Sequence, residues 1–380
     1  KFMKAIKNAR IVLEDSILEN ASLIFDEKIR AIGTALSTDG CELLDAHGQY
    51  LFPGLIDLHI HGYCGREVLE GTREAQTHMA RSLPKDGVTG YLATLGTASL
   101  SRIACSLNAV RDCMGSHGGA KLHGAYMEGV FISQEKRGAH DQTLILPPDP
   151  AFLEPFLDVL HIVITAPEQS PEFISWCVEQ DLVCTMGHTN ARYEEAEEGI
   201  RRGVSQATHI FNGMSGINHR APGVAGAALL HDGVRVELIA DTVHVSGALH
   251  KLIYRLKGPD NILLITDSSV ASGMGPGTYI SNNRTIHVDE YVSRLENGTL
   301  SGSAVPLRRD VLNFHRNSGA PLYETVRMAS LNPAHVLRLD RELGSIRIGK
   351  CADMFLADDE MNVSYTFIDG NCSYRRPQMC

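Results

Sequence analysis

The chain has no C-x-x-C pair, no run of 18 consecutive apolar residues, no tandem repeat and no low-complexity linker, and it is short of positive charge. Each deficit removes a class of protein. Thirty-five Lys and Arg against 45 Asp and Glu leave a net charge of −10, the wrong sign for a surface that must displace counterions from nucleic-acid phosphates. Any anionic substrate therefore has to meet a local basic pocket. Without a long apolar run no membrane span is expected, and the charged start Lys1-Phe2-Met3-Lys4-Ala5-Ile6-Lys7 is not followed by an apolar stretch of signal-peptide length. The nine cysteines are odd in number and scattered, in a chain large enough to be stabilised by burial rather than by disulfide staples. They read as the reduced thiols of a soluble, cytoplasmic protein.

What is present looks globular. The 380 residues are 43% hydrophobic and 21% charged, and they exceed the ~250 of a plain (β/α)8 barrel, which leaves room for one small second unit. Between residues 53 and 343, eight short apolar runs alternate with helical patterns: Leu55–Ile60, Thr89–Thr94, Leu122–Met127, His161–Thr165, Leu182–Met186, Gln206–Ile210, Arg235–Ala240 and Ile262–Thr266. This is the rhythm of parallel βα units and predicts a TIM barrel. Segments such as Ala191–Arg202, acidic early and rich in Ala, Glu and Arg, suit its solvent-facing helices. Residues 1–52 and 344–380 have a different texture. Short β-rich stretches such as Arg10-Ile11-Val12-Leu13 and Ala21-Ser22-Leu23-Ile24-Phe25, and later Met354-Phe355-Leu356 and Tyr365-Thr366-Phe367-Ile368 with an Asp369-Gly370 hairpin turn, predict a small antiparallel β-sandwich domain made by both termini.

Barrel enzymes carry their chemistry at the C-terminal ends of the strands, and residues able to bind metal fall there. His59 and His61 end or follow run one, Glu128 follows run three, His188 run five and Asp267 run eight; His209 lies at the end of run six. In Asp57-Leu58-His59-Ile60-His61, residues 57, 59 and 61 share one strand face, so both imidazoles can point into the barrel mouth. Two surface or hydrogen-bonded core histidines would give the same H-x-H pattern. Glu128, behind the apolar Ala125-Tyr126-Met127, needs a cation when buried, either a metal or a Lys or Arg partner. His188 and His209 taken singly are as well explained as core histidines; with Glu128 they form a His-His-Glu set that leaves a coordination position for water. Asp267 stands where a general base would face that water, or else caps a turn. Zinc is the first choice for such donors, and iron, manganese, cobalt and nickel also fit them.

These residues resemble the amidohydrolase superfamily and, within it, the N-acetylglucosamine-6-phosphate deacetylase family. The resemblance runs over nearly the whole chain: Pro53-Gly54-Leu55-Ile56-Asp57-Leu58-His59-Ile60-His61-Gly62, Lys136-Arg137-Gly138-Ala139-His140, Gly187-His188-Thr189, Thr208-His209-Ile210-Phe211-Asn212-Gly213-Met214, His219-Arg220 with Pro222-Gly223, and Thr266-Asp267. Gly344-Ser345 to Asp353 looks like the family's return strand into the small domain. The resemblance implies that Glu128, His188 and His209 hold one divalent ion. Because the H-x-H pair is retained, it also implies a second ion on His59 and His61, sharing Glu128 and Asp267. Run four ends Ile164-Thr165-Ala166-Pro167, with no lysine to be carboxylated as in dihydroorotase-like relatives, which favours the deacetylase branch.

By the same resemblance Asn212, Gly213 and Arg220 match sugar-phosphate contacts, with Arg220 reaching across a homodimer interface, as a guanidinium fork suits phosphate. Ala139, His140 and His244 match positions that touch the sugar or amide, and Leu300-Ser301-Gly302 a substrate-facing loop. Val130 stands where the family usually has Pro, Thr242 where Gly is common and Ser268-Ser269 where an Ala-containing pair is frequent, while Asn218-His219-Arg220-Ala221 departs from the family's His-His-Arg-Glu. These differences surround the sugar pocket and keep a galactosamine epimer, or another amide substrate, open. A non-catalytic sugar-phosphate sensor on the same barrel is disfavoured by the intact Asp267 and ligand set. Cys64, just behind the H-x-H pair, reads as a buried or idle thiol.

Overall fold

The computed structural model describes residues 3–115 and 118–377; residues 1, 2 and 378–380 of the terminal unit lie outside them. Each of the eight apolar runs contains a strand. We number these β1 (Leu55–Ile60), β2 (Val88–Leu95), β3 (Lys121–Met127), β4 (Leu160–Thr165), β5 (Val183–Met186), β6 (Gln206–Ala207), β7 (Arg235–Leu238) and β8 (Ile262–Leu264). They pair in parallel and in chain order. The strands are nearly solid in buried residues, as expected where both faces of a parallel sheet are covered.

Closure of the barrel is made by polar groups as well as by a bridge. Ile60 bridges Ser268 in parallel, His61 N donates to Ser268 O at 3.0 Å, and Thr266 Oγ1 donates to Asp57 Oδ2 at 2.6 Å. Asp57 thus works beneath the H-x-H pair, tying the end of β8 to β1. Its burial pushes the carboxyl up to about 6, against the hydrogen bond from Thr266.

The termini build a second sheet of eight strands, with Tyr50–Pro53 and Met354–Ala357 antiparallel neighbours at the join between N- and C-terminal halves. One expectation needs correcting. The sheet is mixed rather than purely antiparallel: Lys4–Val12 pairs in parallel with both Glu42–Asp45 and Tyr50–Pro53. A bulge at Asn8, in the left-handed region at φ 56, interrupts the pairing between Ile6 and Ala9, and such bulges bend and twist a strand. The bent sheet encloses its own core of Ile6, Ile11, Leu23, Phe25, Leu51, Met354 and Leu356. The predicted hairpin between Val363–Ile368 and Asn371–Arg375 is present, with Asp369 and Gly370 both at positive φ. Residues 344–353, expected as a return strand, are turns and bends with a single bridge from Cys351 to Lys28. Gly344 and Gly349 at positive φ interrupt any extended run there.

A third sheet was not foreseen. After β8 the chain makes four antiparallel strands, β9 (Gly277–Ser281), β10 (Arg284–Asp289), β11 (Val292–Leu295) and β12 (Leu300–Ser303), over a small core of Ile286, Val288, Val270 and Ala304. It stands at the barrel mouth. Among the described residues no helix is long and apolar enough to cross a membrane.

Candidate active site and metal centre

The strand ends place the site residues, and three of them leave their strands with left-handed backbones: His188 (φ 44), His209 (φ 29) and Asp267 (φ 52). Non-glycine residues rarely adopt this region, and such local strain gathers where surrounding structure holds functional side chains in place. The turns swing the three side chains toward one point, together with His59 and His61 from β1 and Glu128 from the end of β3.

Glu128 is the centre. Its Oε1 lies 3.2 Å from His209 Nε2, 3.3 Å from His188 Nε2 and 3.5 Å from His59 Nε2. Its Oε2 lies 3.1 Å from His61 Nε2 and 3.3 Å from His140 Nε2. Asp267 Oδ1 is 3.2 Å from His61 Nε2 and 3.6 Å from His59 Nε2. No Lys or Arg pairs with Glu128 among the described residues, so the ion-pair alternative is removed. Burial opposes ionisation of both carboxyls, yet the surrounding histidines hold Glu128 well below the usual carboxylate range and Asp267 below it. Glu128 Oε2 is nonetheless buried without a hydrogen bond.

These residues fit a metal ion. Two ligands bound at about 2.0–2.1 Å in tetrahedral geometry stand about 3.3 Å apart, the spacing found here. The histidine tautomers agree. His188 Nδ1 faces the carbonyl of Lys136 at 2.8 Å, His209 Nδ1 that of Asn212 at 3.2 Å, and His59 Nδ1 the carboxylate of Glu237 at 3.3 Å. All three partners only accept, so each Nδ1 carries the proton and each Nε2 lone pair faces Glu128. His59, His61, Glu128 and Asp267 converge as one candidate group and Glu128, His140 and His188 as another.

His140 has the opposite tautomer. Thr97 N donates to its Nδ1 at 3.4 Å and Thr97 Oγ1 lies 3.0 Å away, which leaves the proton on Nε2, pointing into the site. Burial lowers the pKa of this imidazole, in keeping with a neutral donor rather than a ligand. His244 is held by Asp241, its Nδ1 2.7 Å from Oδ2. Burial acts against its protonation, but Asp241 raises the His244 pKa overall.

Above this group opens a cavity of about 280 Å³. Of the residues anticipated for substrate, Ala139, His140, Asn212, Gly213, His244, Leu300, Ser301 and Gly302 all line it. Gly213, at φ 56, packs so closely that a Cβ would stand 2.7 Å from His188 Nδ1, so only glycine fits. Thr242 occupies a left-handed position at φ 69, which accounts for the glycine common there in the resembling family. Arg220 does not line the cavity; it is exposed on the turn between Asn218 and Ala221. His219 is exposed too, whereas Asp241 is buried. Cys64 is half-buried, at φ 52, with Lys85 Nζ 2.9 Å from its Sγ. Residues overlooked in the sequence include Glu237, Thr97, Glu67, Asn282 and Arg284. A carboxylate inside the apolar run Arg235–Ala240 was the available signal for Glu237.

Comparison with known proteins gives the family and the functions named for similar proteins. Residues 50–372 match the model of the amidohydrolase family. The N-acetylglucosamine-6-phosphate deacetylase of Bacillus subtilis (strain 168) is 31% identical, with 97% of this chain and 96% of that protein covered. The N-acetylgalactosamine-6-phosphate deacetylase of Escherichia coli O157:H7 is 30% identical over 96% of this chain and 98% of its own length. In three dimensions, the crystal structure of N-acetylglucosamine-6-phosphate deacetylase from Pasteurella multocida superposes with a TM-score of 0.92 at 31% identity, covering 98% of this chain and 99% of that one.

Proposed function

The chain belongs to the amidohydrolase family, and from that premise we propose that it removes acetate from N-acetylglucosamine-6-phosphate to give glucosamine-6-phosphate. The observation that carries this reading is the grip on Glu128, with His188 and His209 on one carboxylate oxygen, His61 and His140 on the other, and Asp267 alongside. The substrate class follows from the similarity to N-acetylglucosamine-6-phosphate deacetylases over nearly the whole chain. We assign Glu128, His188 and His209 to one divalent ion and His59 and His61 to a second that shares Glu128 and Asp267. Zinc is the first choice.

When bound, such an ion supplies Lewis acidity and brings the pKa of water from 15.7 to about 7. The protein's own groups do the rest. Asp267, held ionised by its histidine neighbours, takes the proton of the attacking water and returns it to the departing amine. A carboxylate in that role is typically worth about 10²–10⁴ in rate. His140 directs its Nε2 proton at the oxygen that gains charge as the acetyl carbon becomes tetrahedral, a contribution of about 3–4 kcal/mol for a well-placed donor. Asn212 and Gly213 contact the sugar phosphate, Ala139 and His244 the sugar or its amide, and Leu300-Ser301-Gly302 faces the substrate. Arg220, exposed and outside its own cavity, reaches the partner's phosphate in a homodimer. The domain division, a barrel at 53–343 and a terminal β unit at 1–52 and 344–380, belongs to this reading. So does a cytoplasmic setting, which suits eight described cysteines that are all free.

The 30% identity to a galactosamine-6-phosphate deacetylase favours a second reading in which the epimer is the substrate. Acetate release from both sugar phosphates, using metal-stripped protein with and without zinc, manganese, iron, cobalt or nickel, separates the two. Metal-restored turnover of N-acetylglucosamine-6-phosphate above its epimer supports the first; the reverse order selects the second. Turnover of neither, with metal bound, overturns both.

A further inference from the structure

Three carboxylates line the cavity, Glu67, Glu128 and Asp267, but only one arginine or lysine does so among the described residues: Arg284. Its position is set by the third sheet. Ser281 and Arg284 pair across the two-residue turn Asn282-Asn283, whose positive φ values of 45° and 62° give the turn that matches strand twist. The tip is clamped onto the barrel. Asn282 N donates to both oxygens of Glu67 at 3.0 Å, Ser281 Oγ to Glu67 Oε2 at 3.2 Å, and Asn282 Nδ2 to the carbonyl of Thr97 at 2.9 Å. Arg102 completes the clamp, donating to Asn282 Oδ1 at 2.8 Å and lying 3.4 Å from Glu67 Oε1.

Glu67 is therefore already answered by Arg102, and Arg284 is left without a carboxylate within 4 Å among the described residues. Its one hydrogen bond there runs from Nη1 to the carbonyl of Ala139, which fixes the guanidinium at the wall and leaves its other N–H groups for a ligand. Arg284 is half-buried, and its burial outweighs the pull of Asp141 and Glu67 and lowers its pKa. A half-buried, unpaired cation is costly unless an anion arrives. Arg220, the other guanidinium considered for phosphate, stands outside this cavity.

We propose that Arg284 is an anion-binding residue of this site that engages the phosphate monoester of the acetylated amino sugar from within the same protomer. The proposal rests on the deacetylase reading above. A phosphate monoester brings a charge of about −1.5 to −2 near neutral pH, and a planar guanidinium can meet two of its oxygens at once.

The test is the ratio of kcat/KM for N-acetylglucosamine-6-phosphate to that for N-acetylglucosamine, in the wild type, Arg284→Gln and Arg284→Lys. The Gln variant is expected to lower this ratio about ten- to hundred-fold, and the Lys variant to restore part of it, having the charge without the fork. An unchanged ratio in Arg284→Gln overturns the proposal and leaves Arg284 as a fastener between the hairpin and Ala139. If the Gln variant does not fold, Arg284→Met, which keeps the stem, is read by the same ratio. If the wild type turns over neither sugar, the deacetylase reading has failed on its own, and inorganic phosphate becomes the probe. At least about ten-fold weaker phosphate binding in the variant still supports an anion site at Arg284, and equal binding removes it.

Discussion

His59 Nδ1 lies 3.3 Å from Glu237 Oε2, and neither side chain has any exposed surface. Glu237 in turn accepts from Gln206 Nε2 and lies 3.5 Å from the Tyr126 hydroxyl. A fully buried carboxylate at this place sets the ring orientation and tautomer of the histidine and raises its basicity as a ligand. Replacing Glu237 by Gln keeps the shape and removes the charge, and is expected to weaken metal binding at the His59–His61 position about ten- to hundred-fold. Metal content measured against a graded chelator checks this. Equal retention by variant and wild type would show that Glu237 only fills the barrel floor.

Asp267→Asn isolates the proton acceptor. Asp267 is held below its ordinary pKa by His61 and His59 against the effect of burial, which leaves it ionised for the acceptor role proposed above, and an amide cannot replace it in that role. kcat is expected to drop about 10²–10⁴-fold while thermal stability and the ion at Glu128, His188 and His209 are kept. Full-rate turnover by this variant would end the assignment.

The barrel and the cluster of His, Glu and Asp at its mouth were legible because both follow from short-range pattern. Apolar runs of strand length alternated with amphipathic helices, and His, Glu and Asp stood at their ends. The small terminal domain was legible as β-rich but not as a mixed, bent sheet, since parallel pairing of Lys4–Val12 with Glu42–Asp45 and Tyr50–Pro53 depends on long-range register that no local run encodes. The mouth sheet was missed because Gly277–Ser281 has no buried residue and the alternation in Arg284–Asp289, buried Ile286 and Val288 between exposed His287 and Asp289, is only four residues long. Their Asn282-Asn283 turn was the one local clue. With that sheet went Arg284, whose place beside Ala139 is set by the Glu67–Arg102 clamp rather than by any motif.

A buried acid away from the metal group gives a pH signature. Asp310, on the helix Leu307–Ser318, is fully buried with both carboxyl oxygens unpartnered. Burial, with Asp241 and Asp57 adding repulsion, holds its pKa well above the ordinary 3.8. The folded state then keeps a proton that the unfolded chain releases above that value, so Asp310 costs stability as pH rises from its unfolded pKa toward its folded one. The slope is about 1.4 kcal/mol per pH unit while the difference is a full proton. Asp310→Asn is expected to gain thermal stability relative to wild type as pH increases across this range, with the gap closing in acid. Parallel curves of Tm against pH for the two proteins would show that Asp310 does not carry the proton.

The exposed position of Arg220 leads to a test of assembly that a single active chain cannot pass by accident. In a twofold dimer each contact is made twice, so a protomer lacking Arg220 but holding Asp267 regains a complete site when its partner supplies the arginine. Arg220→Met and Asp267→Asn should each have low activity on the sugar phosphate, the first through a raised KM and the second through kcat. Unfolded together at equal amounts and refolded, they form about half mixed dimers, each with one complete site of two, and recover about a quarter of wild-type activity. Sedimentation shows in the same sample whether dimers form. Dimers without recovered activity would place Arg220 away from the partner's cavity, and would leave Arg284 as the guanidinium on which phosphate recognition depends.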